Sequence, residues 1–356
     1  MAWNWSQSDL TKTANLVLNM LRRDVEETDA NTGHLTMNNW EWPTGVALYG
    51  MWKTYTQTGD QTILDYMTDW YSRMLAKPAP HRNVNSVAPM LALTCMYDKA
   101  RNPEWLSHIE SWAEWVHTTM PRTEFGGLQH ITVWNKHYQQ LWSDTLFMTV
   151  LFLLKAGQAL GRAEWVEDAK YQFLIHIKYL QDRRTGLWTH GWTFDMRHSF
   201  AGAFWARGNA WFTAAAAEML DALSERDASW RYVDEALRDQ VTGLWKLQRE
   251  SGMFTTLLDV EETYEETAAT AGIAFGVLKG VRRGFVSEVY EPMARKAAEA
   301  VLRKIAPDGT VTGVSGGTGM GHDLEHYKRI KQGPTAYGQG LTFLMLTEML
   351  IWVGRD

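Results

Sequence analysis

The chain has 356 residues, 35 Lys and Arg against 41 Asp and Glu, a single cysteine and 19 tryptophans. A net charge of −6 without long like-charge blocks excludes a nucleic-acid footprint, which needs clustered cations. Cys95 alone makes no intramolecular disulfide, and the most apolar run, Leu146 to Leu154, is far short of the roughly 18 residues of a membrane span.

Along the chain, apolar residues recur at steps of three and four. Leu106, Ile109, Ala113 and Val116 form one such stripe, and others begin at Val166, Trp230 and Tyr290. The starting positions are separated by 60, 64 and 60 residues, so the chain is a repeat. That repeat overrules the two domains that a length rule of about 150 residues each would suggest. One-sided helices are predicted near 8–24, 61–75, 103–119, 163–181, 228–248 and 287–305. Each is followed by a helix apolar on most sides, such as VALYGMW, VAPMLALTCMY or WFTAAAAEML, which must be buried all round. Twelve helices alternating in this way predict an all-α fold, an (α/α)6 barrel with six inner and six outer helices, as one domain over 1–356. An open solenoid of hairpins is the competing topology.

In a barrel of equal hairpins the inner helices all start at one end. Their entries are EWPTG (41–45), HRNVNS (81–86), LWSD (141–144), FWARGN (204–209), YEETA (264–268) and GPTAYGQG (333–340). Converging helix N-termini suit an anionic ligand there. The mouth also gathers Trp42, Trp134, Trp142, Trp192, Trp205 and Trp211, flat apolar faces for sugar C–H surfaces, although core packing accounts for Trp192, Trp205 and Trp211 equally well.

Asp144 begins the apolar run SDTLFMTVLFLL, where a carboxylate ordinarily caps a helix. Its neighbours Leu141, Trp142, Leu146 and Phe147 are expected to desolvate it and raise its pKa towards that of a general acid. His190 and Trp192 follow in HGW, and Arg207 in FWARGNAW offers a planar fork to a carboxylate. A conventional glycosidase places two carboxylates across the bond, and Glu41, Asp195, Asp259, Glu265 and Glu266 are all open as a partner for Asp144. HDLEH (322–326) matches an inverted zinc-protease pattern, but that pattern works on a helix and here follows the Gly-rich SGGTGMG, read instead as a flexible rim. No metal and no cofactor is expected.

The strings GLQHIT (127–132), LWSDTLFM (141–148), HGW (190–192), FWARGNAW (204–211) and YGQGL (337–341), in order over most of the chain, resemble glycoside hydrolase family 105, the unsaturated rhamnogalacturonyl hydrolases. The resemblance implies a six-hairpin α/α barrel acting on oligosaccharides that end in a 4,5-unsaturated uronate. It further implies that Asp144 protonates C4 of the vinyl ether and assists addition of water at C5. By the same motifs, His130, His190, Arg207 and Trp211 fall on substrate-binding positions. One departure concerns the second inner helix, where many relatives, and the neighbouring family 88, carry Asp. This chain has Asn83 and Asn85, which bind a sugar hydroxyl but hold no proton. A family 88-type glucuronyl hydrolase using two aspartates is therefore disfavoured. A barrel epimerase or conventional glycosidase would act on saturated sugars, and a non-catalytic barrel would bind sugar at the same mouth without turnover; both compete with the hydrolase. The opening MAWNWSQSDL lacks a basic then apolar leader, so a cytoplasmic protein is expected, as a monomer or as a homodimer using Trp3 and Trp5.

Overall fold

The computed structural model describes residues 5–23 and 35–354. Six one-sided helices, α1 (Gln7–Arg22), α3 (Gln61–Leu75), α5 (Pro103–Glu114), α7 (Ala163–Leu180), α9 (Ala228–Trp245) and α11 (Glu291–Leu302), form an outer ring. In α3 only Ile63, Met67, Trp70, Tyr71 and Met74 are buried, which is one face at helical spacing. The expected 287–305 helix is divided at its start: a 3₁₀ turn, Glu288–Tyr290, precedes α11, whose first turn contains Pro292.

The inner ring comprises α2 (Trp42–Thr58), α4 (Val84–Ala100), α6 (Leu151–Leu160, continuing a π turn at Leu146–Val150), α8 (Ala206–Ala222), α10 (Thr267–Arg282) and α13 (Ala336–Val353). These helices touch in chain order, and α13 packs against α2. The ring is thereby closed and the open solenoid is excluded. Closure depends on Gly340, where a Cβ would lie 2.7 Å from the Val46 carbonyl oxygen, so the two backbones meet without side chains between them. One contiguous apolar cluster runs through both rings. Trp5 and Trp352 both pack against it; Trp3 lies outside the described residues.

Inner and outer helices are joined by short turns at one end of the barrel. At the other, the long loops 120–140, 181–205, 246–266 and 303–335 lead back to the inner ring. Two three-residue strands, β1 (Gln140–Trp142) and β2 (Gly191–Thr193), pair antiparallel within these loops, with Trp142 opposite Gly191. Deeper in the barrel lies an ionic floor. Glu218 on α8 meets Lys279 at 2.9 Å and Lys53 at 3.1 Å, and accepts from the Tyr49 hydroxyl at 2.8 Å. Arg282 and Glu348 form a two-pronged pair at 2.7 Å. No helix among the described residues is long and apolar enough to cross a membrane.

Candidate active site

Four of the six inner helices begin on a capping side chain, and α6 and α8 begin without one. Glu41 caps α2 through Trp42 N–H at 3.2 Å, Asn83 caps α4 through the N–H groups of Asn85 and Ser86, Glu266 caps α10 and Thr335 caps α13. The helices converge on a cavity of about 550 Å³. Asp144, His130, Arg207, Trp42, Trp142 and Asn85 line it, joined by Glu41, Asn39, His137, Trp134, Trp205 and Thr318.

Asp144 is not a helix cap. Its Oδ2 accepts from Ser143 Oγ at 3.2 Å and faces His190 Nε2 at 3.5 Å. The β1–β2 pair makes this meeting, since Ser143 N–H donates to the His190 carbonyl at 3.0 Å. Gly208 in the first turn of α8 leaves room for it, because a Cβ there would lie 2.8 Å from Ser143 Oγ. Burial pushes the Asp144 carboxyl up, as its apolar neighbours suggest. The His190 contact, with His130 and Arg207 nearby, outweighs burial and holds it below the ordinary carboxylate value. The raised pKa expected from sequence is corrected: the free protein holds Asp144 ionised at neutral pH.

The imidazoles are neutral. Burial pushes His130 down to about 3 and His137 to about 4, and lowers His190. His130 bonds Thr145 Oγ1 through Nδ1 at 2.9 Å and stacks on Trp142 at 4.1 Å, covering one face of that indole. His190 sits behind Asp144 and not on the cavity wall; its Nδ1 meets the Tyr327 hydroxyl at 2.8 Å.

Arg207 does not present a free fork. It donates to Ser315 O at 2.9 Å, to Ser315 Oγ, to Gly316 O at 2.8 Å and to Thr318 Oγ1 at 2.8 Å, and it faces Glu266 at 3.5 Å. The Gly-rich rim is therefore fastened from within, and Gly317, Thr318 and Gly319 form a cavity wall. HDLEH does include one helical turn, α12 (Leu324–Lys328), but His322 precedes it, so the two histidines do not share a helix face. No group of three or more metal-ligating side chains occurs among the described residues.

Several candidates lie outside the cavity wall. Trp211 is fully buried against Phe147 at 5.2 Å, and Trp192, the middle residue of β2, packs on Tyr179 at 5.7 Å. For both, core packing accounts for the position. Asn83 spends Oδ1 on its cap and Nδ2 on the His81 carbonyl, leaving Asn85 as the amide that faces the cavity. Of the five carboxylates open as partners, only Glu41 lines the cavity. Glu266 is buried against Ser315, Glu265 pairs with Lys304 and Asp259 lines another depression. Burial raises the Glu41 carboxyl, against the Trp42 N–H bond that lowers it. Sequence alone does not pick out Glu41 from the other carboxylates, and it does not point to His137 or Tyr327 at all. Glu41 is legible in EWPTG as the polar residue before a helix, whereas Tyr327 adjoins a motif whose histidines and glutamate suggest only metal.

Residues 19–352 match the family model described as Glycosyl Hydrolase Family 88. The chain is 32% identical, over 87% of its length and 90% of the relative's, to unsaturated rhamnogalacturonyl hydrolase YesR of Bacillus subtilis. It is 27% identical, over 59% of its length and 51% of the relative's, to an unsaturated 3S-rhamnoglycuronyl hydrolase of Alteromonas sp.. Among solved structures, a possible member of the GH105 family from Salmonella enterica superposes with a TM-score of 0.94 at 43% identity, covering 98% of this chain and 95% of that one.

Proposed function

Since the chain belongs to Glycosyl Hydrolase Family 88 and is a glycoside hydrolase, we propose that it removes a 4,5-unsaturated uronate from the non-reducing end of short oligosaccharides produced by polysaccharide lyases. Rhamnogalacturonan fragments are the substrate class, in keeping with the rhamnogalacturonyl relative. The observation that carries this reading is the environment of Asp144: a carboxylate at an inner-helix entry, facing His190 at 3.5 Å, inside a cavity walled by Trp42, Trp142 and Asn85.

The chemistry proceeds by hydration of the vinyl ether. Asp144 is ionised in the free protein, but a uronate carboxylate entering the cavity adds negative charge and displaces water, and both raise its pKa. Asp144 then gives its proton to C4 while water adds at C5, and the regenerated carboxylate takes the proton of that water. The product is a hemiketal at C5. Its ring opens, and the anomeric carbon releases the adjoining sugar. Proton and water are both accounted for, and one carboxyl serves as acid and base. Neither metal nor cofactor enters. A cytoplasmic site of action belongs to the same reading, since a chain with one cysteine needs no oxidising compartment.

The test is incubation with unsaturated disaccharides from rhamnogalacturonan, ulvan and glycosaminoglycan lyases, following loss of the enoate absorbance. Asp144→Asn is expected to lower kcat by about three orders of magnitude with the thermal midpoint retained. Near-full activity in that variant would remove Asp144 from the mechanism.

A further inference from the structure

A second cavity, of about 410 Å³, adjoins the first. The wall between them is the loop 130–137, with Thr132 lining both. The loop is shaped by a turn in which Thr132 N–H donates to Asn135 O at 2.9 Å and Thr132 Oγ1 accepts from Asn135 N–H at 3.2 Å. Trp134 stands at its tip, 93% exposed and on the rim of the first cavity. The second cavity is lined by His81, Arg82, Trp115, Gln129 and Lys136, among others, and by no acidic side chain. Arg82 is held in place by neutral partners, donating to Ser111 O at 2.9 Å and Ser111 Oγ at 2.6 Å while lying over the Trp112 ring at 5.0 Å. Gln129 clamps the loop from below through Lys136 O at 2.7 Å.

The two cavities differ in charge. The first is lined by two carboxylates, two neutral imidazoles and an arginine already engaged with its rim. The second is lined by two permanent cations, an imidazole and no acid to neutralise them. An acid-free basic cavity selects an anion, and the loop that carries Trp134 on the rim of the first cavity is what sugars extending from the first cavity to the second would cross.

We propose that the cavity of His81, Arg82 and Lys136 is a subsite for an anionic substituent, sulfate or carboxylate, on the saccharide beyond the scissile bond. The inference rests on the unsaturated-uronate reading above, and it makes the leaving portion of the substrate a determinant of specificity.

The experiment uses the full chain carrying Asp144→Asn, so that binding is measured without turnover. It is titrated calorimetrically with three unsaturated saccharides: a disaccharide with a neutral second sugar, the same disaccharide sulfated on that sugar, and a tetrasaccharide with a carboxylate on its third sugar. At least one anionic ligand is expected to bind about tenfold more tightly than the neutral one, and Lys136→Ala is expected to remove most of that difference. The anionic ligand that loses affinity identifies the substituent. Equal affinities for all three ligands, or equal losses in Lys136→Ala, would overturn the subsite. Turnover assays on the wild-type chain decide the unsaturated-uronate reading separately: binding without turnover counts against that reading alone, while no binding of any ligand defeats both.

Discussion

The hydroxyl of Tyr327 meets Nδ1 of His190 at 2.8 Å, on the side of the ring away from Asp144. Tyr327 also accepts from Gly321 N–H at 3.2 Å, and its own proton has the ring nitrogen Nδ1 at 2.8 Å as a stronger acceptor than Met320 Sδ at 3.9 Å. His190 then carries its proton on Nε2, the nitrogen that faces the Asp144 carboxylate at 3.5 Å. A phenol thus sets the tautomer of the imidazole that steadies the candidate acid.

Tyr327→Phe removes that control without changing the shape of the pocket. It is expected to lower kcat about tenfold with little change in KM, and to raise the inflection at which kcat falls with rising pH, because an imidazole free to turn stabilises the Asp144 carboxylate less. Rate profiles against pH on an unsaturated disaccharide test this. A parallel fall at every pH with the inflection unmoved would restrict Tyr327 to packing.

Glu41 is predicted to donate a hydrogen bond to substrate over the pH range in which it keeps its proton. Burial raises its carboxyl above the ordinary value of 4.5, so its proton is retained to a higher pH than usual. Glu41→Gln keeps a hydrogen-bond donor, and should retain most activity while removing the fall in rate that follows loss of the Glu41 proton as pH rises. Glu41→Ala should cost roughly tenfold in kcat/KM. Equal losses in the two variants would show that the amide does not replace the carboxyl, and would overturn the hydrogen-bond-donor role.

Arg207 acts through the wall it fastens. Lysine keeps the charge but not the fork that reaches Ser315, Gly316 and Thr318. Arg207→Lys is expected to raise KM by about tenfold, more than it lowers kcat, and to speed cleavage within 315–321 under limited proteolysis. An unchanged cleavage rate would contradict the fastening role.

Acid sensitivity is predicted to reside in the floor. Burial acts to raise the Glu218 carboxyl, but Lys279 and Lys53 overcome it and hold the group well below its ordinary value of 4.5. A lowered folded-state value adds stability above the ordinary value, and that contribution is lost as pH falls from there towards the folded one. Thermal midpoints are therefore expected to drop from about pH 4.5 downwards. Glu218→Gln should cost about 2 kcal/mol at pH 7, since Lys279 keeps Asp221 at 2.9 Å but loses its buried carboxylate, and should flatten the acidic decline.

The fold was legible because burial on all sides and burial on one side write different patterns into a helix, and the 60-residue recurrence ordered them. The entries to the inner helices were equally readable, since capping residues precede apolar runs. What the sequence did not disclose were contacts made by the loops. His190 reaches Asp144 through two strands of three residues, too short to leave an alternating signature. Tyr327 reaches His190 across 137 positions of chain. Arg207 was identified as a cation at the mouth, but whether its fork faced ligand or protein depended on where the Gly-rich segment folded back. Trp192 and Trp211 were drawn into the site by the company of their motifs. An indole beside a polar residue in sequence points wherever the helix phase sends it, and here that is into packing.

The ionic floor governs traffic. Tyr49, Lys53, Glu218 and Lys279 bridge α2, α8 and α10 beneath the site, so among the described residues these side chains block the barrel on that side and a saccharide comes in by the mouth. A saccharide enters there by its tip, and each lyase product has one unsaturated tip to offer. Departure is ordered as well: the detached remainder, lying outermost, must clear the doorway before the terminal sugar can follow. Each cleavage is then a separate visit, and it is the last for that saccharide, since the remainder has no unsaturated terminus until a lyase cuts again.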